Sequence, residues 1–109
     1  MSTRVARVIG TGALVASQVI SATPKSLQEI VCTNTGAAVA YCQIFNTTSV
    51  PADTAIPEIV FAVPAGTTAS YDNQQGIAFD TGICVAISST AHVKTIKAAE
   101  AVFHALVEA

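Results

Sequence analysis

Apolar and polar residues alternate with a period of two through the middle of the chain. The clearest case is residues 38–46 (AVAYCQIFN), in which Tyr41, Gln43 and Phe45 fall on one face and Cys42 and Ile44 on the other. This period is typical of a β-strand, because successive side chains of a strand point to opposite faces. Similar patterns predict further strands at residues 13–22, 27–33, 58–63, 67–71 and 83–88.

Turn-forming residues separate these segments. Proline fixes φ and lacks an amide proton, and glycine and asparagine tolerate positive φ, so clusters of them interrupt strands. Such clusters occur at residues 23–26 (TPKS), 34–36 (NTG), 64–66 (PAG), 72–76 (DNQQG) and 80–82 (DTG), and the longest polar connection is 46–57. The spacing predicts short antiparallel strands joined by tight turns.

The two ends of the chain are less regular. Residues 98–109 (AAEAVFHALVEA) contain good helix formers but also alternate as a strand would. We favour a strand because the preceding segments are all β, and helix remains the alternative. Residues 1–12 carry both arginines and two glycines. They are interpreted as an N-terminal arm or edge segment, ahead of a single domain at 13–109.

Composition favours the same fold class. Val, Ile and Thr account for 36 of the 109 residues, and Leu for only three. β-Branched side chains suit pleated sheets better than helices. We therefore predict an all-β, single-domain β-sandwich with a jelly-roll-like fold and about seven or eight short antiparallel strands.

Charge limits the possible partners. Charged residues are only 11% of the chain and the net charge is −2. A disordered chain would be more polar, and a nucleic-acid-binding protein would be basic, so both classes are excluded. An apolar chain with so few charges is expected to use part of its surface for contact, as in an oligomer or a larger assembly.

The three cysteines, Cys32, Cys42 and Cys84, form no CxxC motif. Each lies in an apolar segment, which favours buried thiols in a reducing compartment, with a Cys32–Cys42 disulfide across a hairpin as the alternative. The apolar N-terminal stretch is interrupted by Thr11 and by polar residues at 17 and 18, and no run reaches the length of a membrane span. We expect a protein made in a cytoplasm, without a membrane partner.

No residue pattern indicates an enzyme. His92 and His104 have no Cys, Asp or Glu at metal-ligand spacing, and Ser88 in the segment SSTAH matches no nucleophile motif. The seven carboxylates are scattered, and residues 10–12 (GTG) lack the third glycine of a phosphate-binding loop. We therefore predict no catalytic residue, no cofactor and no metal.

Three segments resemble small structural proteins of tailed-phage virions: AYCQIFNTT, IPEIVFAVPAGTTASYD and GIAFDTGICVAISST. The resemblance spans roughly residues 26–109. It implies a sandwich or jelly-roll protein of the capsid decoration (cement) type, on the outside of a phage head. The alternative that it leaves open is a tail, head-fibre or host-adhesion component.

The decoration hypothesis implies a homotrimer that binds the major capsid protein and stabilises contacts between capsomers. Residues 1–12 would then reach the capsid or a neighbouring subunit. We predict partner-binding residues at Arg4, Val5, Arg7, Val8 and Ile9.

The apolar positions within the predicted strands give a set of residues expected to be mostly buried, in the core or at an interface. They are Ile30, Cys32, Val39, Tyr41, Phe45, Val60, Phe61, Phe79, Val85, Ile87, Phe103 and Val107.

Overall fold

The computed structural model describes residues 6–95 and 97–108. They form eight β-strands: β1 (Ala6–Gly10), β2 (Ser17–Ser21), β3 (Lys25–Asn34), β4 (Ala40–Phe45), β5 (Ile59–Val63), β6 (Thr68–Phe79), β7 (Ile83–Ser88) and β8 (Ala101–Glu108). The prediction of an all-β chain is confirmed.

The strands form two four-stranded antiparallel sheets, with the orders β1-β8-β3-β6 and β2-β7-β4-β5. Strand β1 pairs with β8, β2 with β7, β3 with β6 and β4 with β5, so the chain is one long ribbon folded back at its middle. Rolling this ribbon creates the further pairs β3–β8 and β4–β7. This is the jelly-roll arrangement of eight strands in two packed sheets, which confirms the predicted fold.

The main core lies between the two sheets. The largest fully buried side chain in it is Phe103 of β8, and Ile30 of β3 and Ile44 of β4 face the same interior. Alternation along each strand supplies the other inward residues. Eight of the twelve residues predicted to be buried are buried: Ile30, Cys32, Phe45, Phe79, Val85, Ile87, Phe103 and Val107.

Four predicted core residues are not fully buried. Tyr41 and Phe61 are half-buried, whereas Val39 and Val60 are 44% and 41% exposed. The prediction for the two valines is wrong, because Val39 lies in the β3–β4 connection and Val60 is on the outward face of β5.

Strand β6 is longer than predicted. The predicted loop at 72–76 lies within it as a bulge, since Glu29 pairs with Asp72 and Leu27 with Ile77. Four residues of β6 therefore face one residue of β3. Gly76, with φ of +81°, supplies the positive φ that such a bulge requires.

The C-terminal segment is a strand, as we favoured, and β8 lies between β1 and β3. This position buries its inward side chains, so packing decides against the helix that its alanines allowed. Within the described residues, no helix is long and apolar enough to cross a membrane.

Candidate interaction surface

The outer faces of the two sheets differ in how they are covered. On the β2-β7-β4-β5 sheet, five outward residues of the two central strands are buried, namely Gln43, Phe45, Cys84, Ala86 and Ser88, whereas Val60 on the edge strand β5 is exposed. Phe45, Cys84 and Ala86 form a second apolar cluster, separate from the main core, to which Val19 and Ala55 add half-buried side chains. Because the main core is on the other side of the sheet, this second cluster is buried by loops.

Gln43 holds one of these loops against the sheet. Its Nε2 lies 3.0 Å from the carbonyl oxygens of Thr90 and Val93 and 3.2 Å from that of Ala91. The side chain is fully buried, and its Oε1 has no hydrogen-bond partner among the described residues. The amide group therefore acts as a donor that fixes the β7–β8 loop over β4.

Ser88 fixes the same loop at its beginning. Its Oγ accepts hydrogen bonds from the backbone amides of Thr90 (3.1 Å) and Thr95 (2.9 Å) and donates to the carbonyl of Val93 (3.2 Å). The serine of the SSTAH segment thus anchors a loop. His92, from the same segment, is exposed.

The β4–β5 loop is tied to the β7–β8 loop by a two-way backbone contact. The amide of Thr54 donates to the carbonyl of Lys94, and the amide of Lys94 to that of Ala55, both at 2.8 Å. Lys94 Nζ also lies 3.0 Å from Asp53 Oδ1. The two loops therefore form one cover, here called the loop cover (residues 46–58 and 89–95).

The outer face of the β1-β8-β3-β6 sheet is open by comparison. Val31 of β3 and Val102 and Leu106 of β8 are half-buried, and His104 between them is exposed. The register places Val31 beside His104 on one side and Ser70 on the other. We call the outward residues Val31, Thr33, Thr68, Ser70, Val102, His104 and Leu106 the open face.

A cleft of about 250 Å³ lies at one end of the open face, lined by Gln28, Glu29, Asp72 and Leu106. Glu29 and Asp72 are directly opposite each other in the β3–β6 pairing. Like charges opposite one another in a sheet destabilise it, so a basic group bound in this cleft would relieve their repulsion. The open face thus combines three half-buried apolar side chains with an acidic end.

A different polar feature lies where β4 ends beside the turn between β6 and β7. Asn46 donates to Asp80 Oδ1 at 2.7 Å and accepts from the backbone amide of Thr81 at 3.0 Å. The hydrogen bonds from Asn46 and Thr81 lower the pKa of Asp80. Asp80 therefore serves the β6–β7 turn as a charged hydrogen-bond acceptor.

The residues predicted to bind a partner are placed as follows. Arg4 and Val5 lie outside the described residues. The backbones of Arg7 and Val8 belong to β1, where they pair with Val107 and Leu106. Ile9 is half-buried and packs against the main core. Strand β1 is the edge of the sheet that carries the open face, so these positions adjoin it.

Sequence reasoning missed the open face and the loop cover. The alternation in LQEIVCT identified Ile30 and Cys32 as inward and would equally have placed Val31 outward. Nothing in the sequence indicated which outer face the loops would cover, because that depends on contacts between residues about 50 positions apart, such as Gln43 and Val93.

Among the described residues, no three His, Cys, Asp or Glu side chains come together as a group that could hold a metal ion. No protein-family model, curated protein or solved structure matches the chain.

Proposed function

We propose that this protein is a structural component of a phage virion that decorates the outside of the capsid. The observation that carries the proposal is the unequal covering of the two sheets in a jelly roll, an architecture that viral capsid domains use. One outer face is closed by the chain's own loops. The other presents half-buried valines and a leucine beside an acidic cleft.

The segments that resemble virion proteins support this proposal. The three segments cover β4, β5, β7 and most of β6. The resemblance as a whole spans roughly residues 26–109, so it also includes β3 and β8, which carry most of the open face.

The capsid protein is proposed to dock on the open face. Apolar contacts with Val31, Val102 and Leu106 would supply the centre of such an interface, and a Lys or Arg of the capsid would enter the cleft beside Glu29 and Asp72. Interfaces of this kind have an apolar centre and a polar rim. The tail or fibre alternative would use the same face against a different partner.

The test compares two lysine variants in binding to phage heads that lack this protein. We expect Val31→Lys and Leu106→Lys to bind roughly 30-fold more weakly or worse, because a central contact contributes about 2 kcal/mol. The matched control is Ile56→Lys, a 76% exposed residue of the loop cover, which should bind as the unmodified chain does. Binding is measured by co-sedimentation with the heads.

Equal binding by all three variants would exclude the open face as the docking surface. Failure of the unmodified chain to bind heads, together with its detection on tails by electron microscopy, would overturn the decoration role in favour of the tail alternative.

The predicted N-terminal arm is tested by a deletion that stops before β1. Deleting the arm as far as residue 12 would remove β1, including Ile9, which packs against the main core. Deleting residues 2–5 removes Arg4 and Val5 and keeps the whole of β1. We expect this variant to remain folded and to bind heads more weakly; undiminished occupancy would exclude residues 2–5 as a capsid contact.

A homotrimer is proposed as the decorating unit, since closed symmetry is usual and three linked docking faces raise avidity. Light scattering over a range of concentrations should give a constant mass of three chains of 11.1 kDa. A constant mass of one chain would exclude a preformed trimer.

A further inference from the structure

Two of the three cysteines occupy matching positions on consecutive strands. Cys32 lies two residues before the end of β3, and Cys42 lies two residues after the start of β4. Strands β3 and β4 belong to opposite sheets and are joined by the five residues 35–39. The two cysteines are therefore at equal distances from the point where the chain crosses between the sheets.

The two side chains meet inside the sandwich. Cys32 and Cys42 are both 0% exposed and belong to the same core cluster. All three cysteines are buried free thiols, as the sequence favoured. The neighbouring Cys42 thiol lowers the pKa of Cys32, whereas burial raises the pKa of Cys42. Because β3 and β4 lie in opposite sheets, a bridge between Cys32 and Cys42 would span the core and would not cross a hairpin.

We propose that Cys32 and Cys42 are a site of disulfide formation that links the two sheets covalently when the protein meets an oxidising low-molecular-weight disulfide. Disulfides between the two sheets of a sandwich occur in immunoglobulin domains, so the architecture accommodates such a bridge. A reducing compartment keeps the pair as thiols, and an oxidising one closes it. This inference does not depend on the proposed function.

The chemistry needs one two-electron oxidant, for which oxidised glutathione is suitable. The thiolate of one cysteine attacks a glutathione sulfur, forms a mixed disulfide and releases one glutathione. The second cysteine then attacks the protein sulfur of that mixed disulfide and releases the other glutathione. The two thiol protons pass to the two glutathione thiolates, so the protein loses two hydrogens and the oxidant becomes two reduced glutathiones.

Cys84 provides an internal control. It is fully buried but belongs to the second cluster, on the outward side of β7, so the sheet separates it from the cysteine pair. Burial raises its pKa to about 11, which keeps the group as an unreactive thiol near neutral pH.

The experiment refolds the full chain from urea in a buffer of reduced and oxidised glutathione, so that burial does not limit access of the oxidant. Remaining thiols are then alkylated in urea, which exposes Cys84 to the reagent, and peptides are mapped by mass spectrometry. We expect the Cys32–Cys42 bridge, with its loss of two hydrogens, in most chains and alkylated Cys84 throughout. Free Cys32 and Cys42, or bridges to Cys84, would overturn the proposal.

Thermal unfolding gives a second readout. The bridge closes a short loop, for which chain entropy predicts a rise in Tm of roughly 10 °C over the reduced protein. Cys84→Ala should keep this difference between oxidised and reduced protein, and Cys32→Ala should abolish it. Equal Tm values for oxidised and reduced protein with the bridge present would show that the bridge does not stabilise the folded protein.

Discussion

Replacing Phe103 with alanine should lower the free energy of unfolding by about 3–5 kcal/mol, which is a large part of the stability of an ordinary domain. Phe103 is the largest fully buried side chain, and it lies on β8 between β1 and β3. Strands on both sides hold the backbone of β8 in place, so the cavity cannot close by moving the strand. Urea unfolding followed by circular dichroism measures the loss.

The matched control is Phe61→Ala. Phe61 is only half-buried and lies on β5, an edge strand that can move into the space left by a smaller side chain. We expect it to cost about half as much as Phe103→Ala or less. Equal losses at the two positions would contradict the view that β8 forms the rigid centre of the core.

Replacing Gln43 with leucine should lower the free energy of unfolding by about 2 kcal/mol and release the loop cover. The substitution keeps the size of the side chain but removes the donor shared by the carbonyls of Thr90, Ala91 and Val93. The carbonyl of Val93 keeps its hydrogen bond from Ser88 Oγ, whereas those of Thr90 and Ala91 lose the donor that Gln43 supplies. A buried carbonyl left without a donor costs about 1–3 kcal/mol. Removing the unpartnered Oε1 of Gln43 offsets part of this loss.

Release of the cover has a readout of its own, since Cys84 lies beneath it. Alkylation of Cys84 should be faster in Gln43→Leu than in the unmodified chain. The matched control is Gln18→Leu, which removes a single 3.2 Å hydrogen bond from a half-buried glutamine to the carbonyl of Val19. An unchanged rate of Cys84 alkylation in Gln43→Leu would show that Gln43 does not hold the loop cover in place.

Both outer faces leave some apolar surface accessible. The loop cover buries outward residues of β4 and β7, whereas Val50 and Ile56 of the cover and Val60 of β5 are exposed. On the open face, Val31, Val102 and Leu106 are half-buried and no loop of the described chain lies over them. Apolar surface of this kind on a sheet is the usual place for contact with another protein.

The local pattern of the sequence determined most of the strands and their inward faces. Residues 83–88 are a strand with the predicted bounds, and all of its residues are buried, as its continuous apolar run indicated. In β4, Cys42 and Ile44 face the main core together, as alternation required. A period of two depends only on neighbours in the chain, which is why it can be derived from the sequence alone.

Tertiary structure decided the rest. The loop at 72–76 became a bulge because β6 pairs with β3 on both sides of it, from Thr68 to Asp72 and from Ile77 to Phe79. Residues 101–108 became a strand because they lie between β1 and β3. Val60 is exposed because β5 turns that face outward, where the loop cover leaves it partly open. Gln43 is buried because residues about 50 positions away fold over it. Cys32 and Cys42 share one core because β3 and β4 belong to the two sheets that pack together. Contacts at such separations depend on how the sheets pack, and no local pattern encodes them.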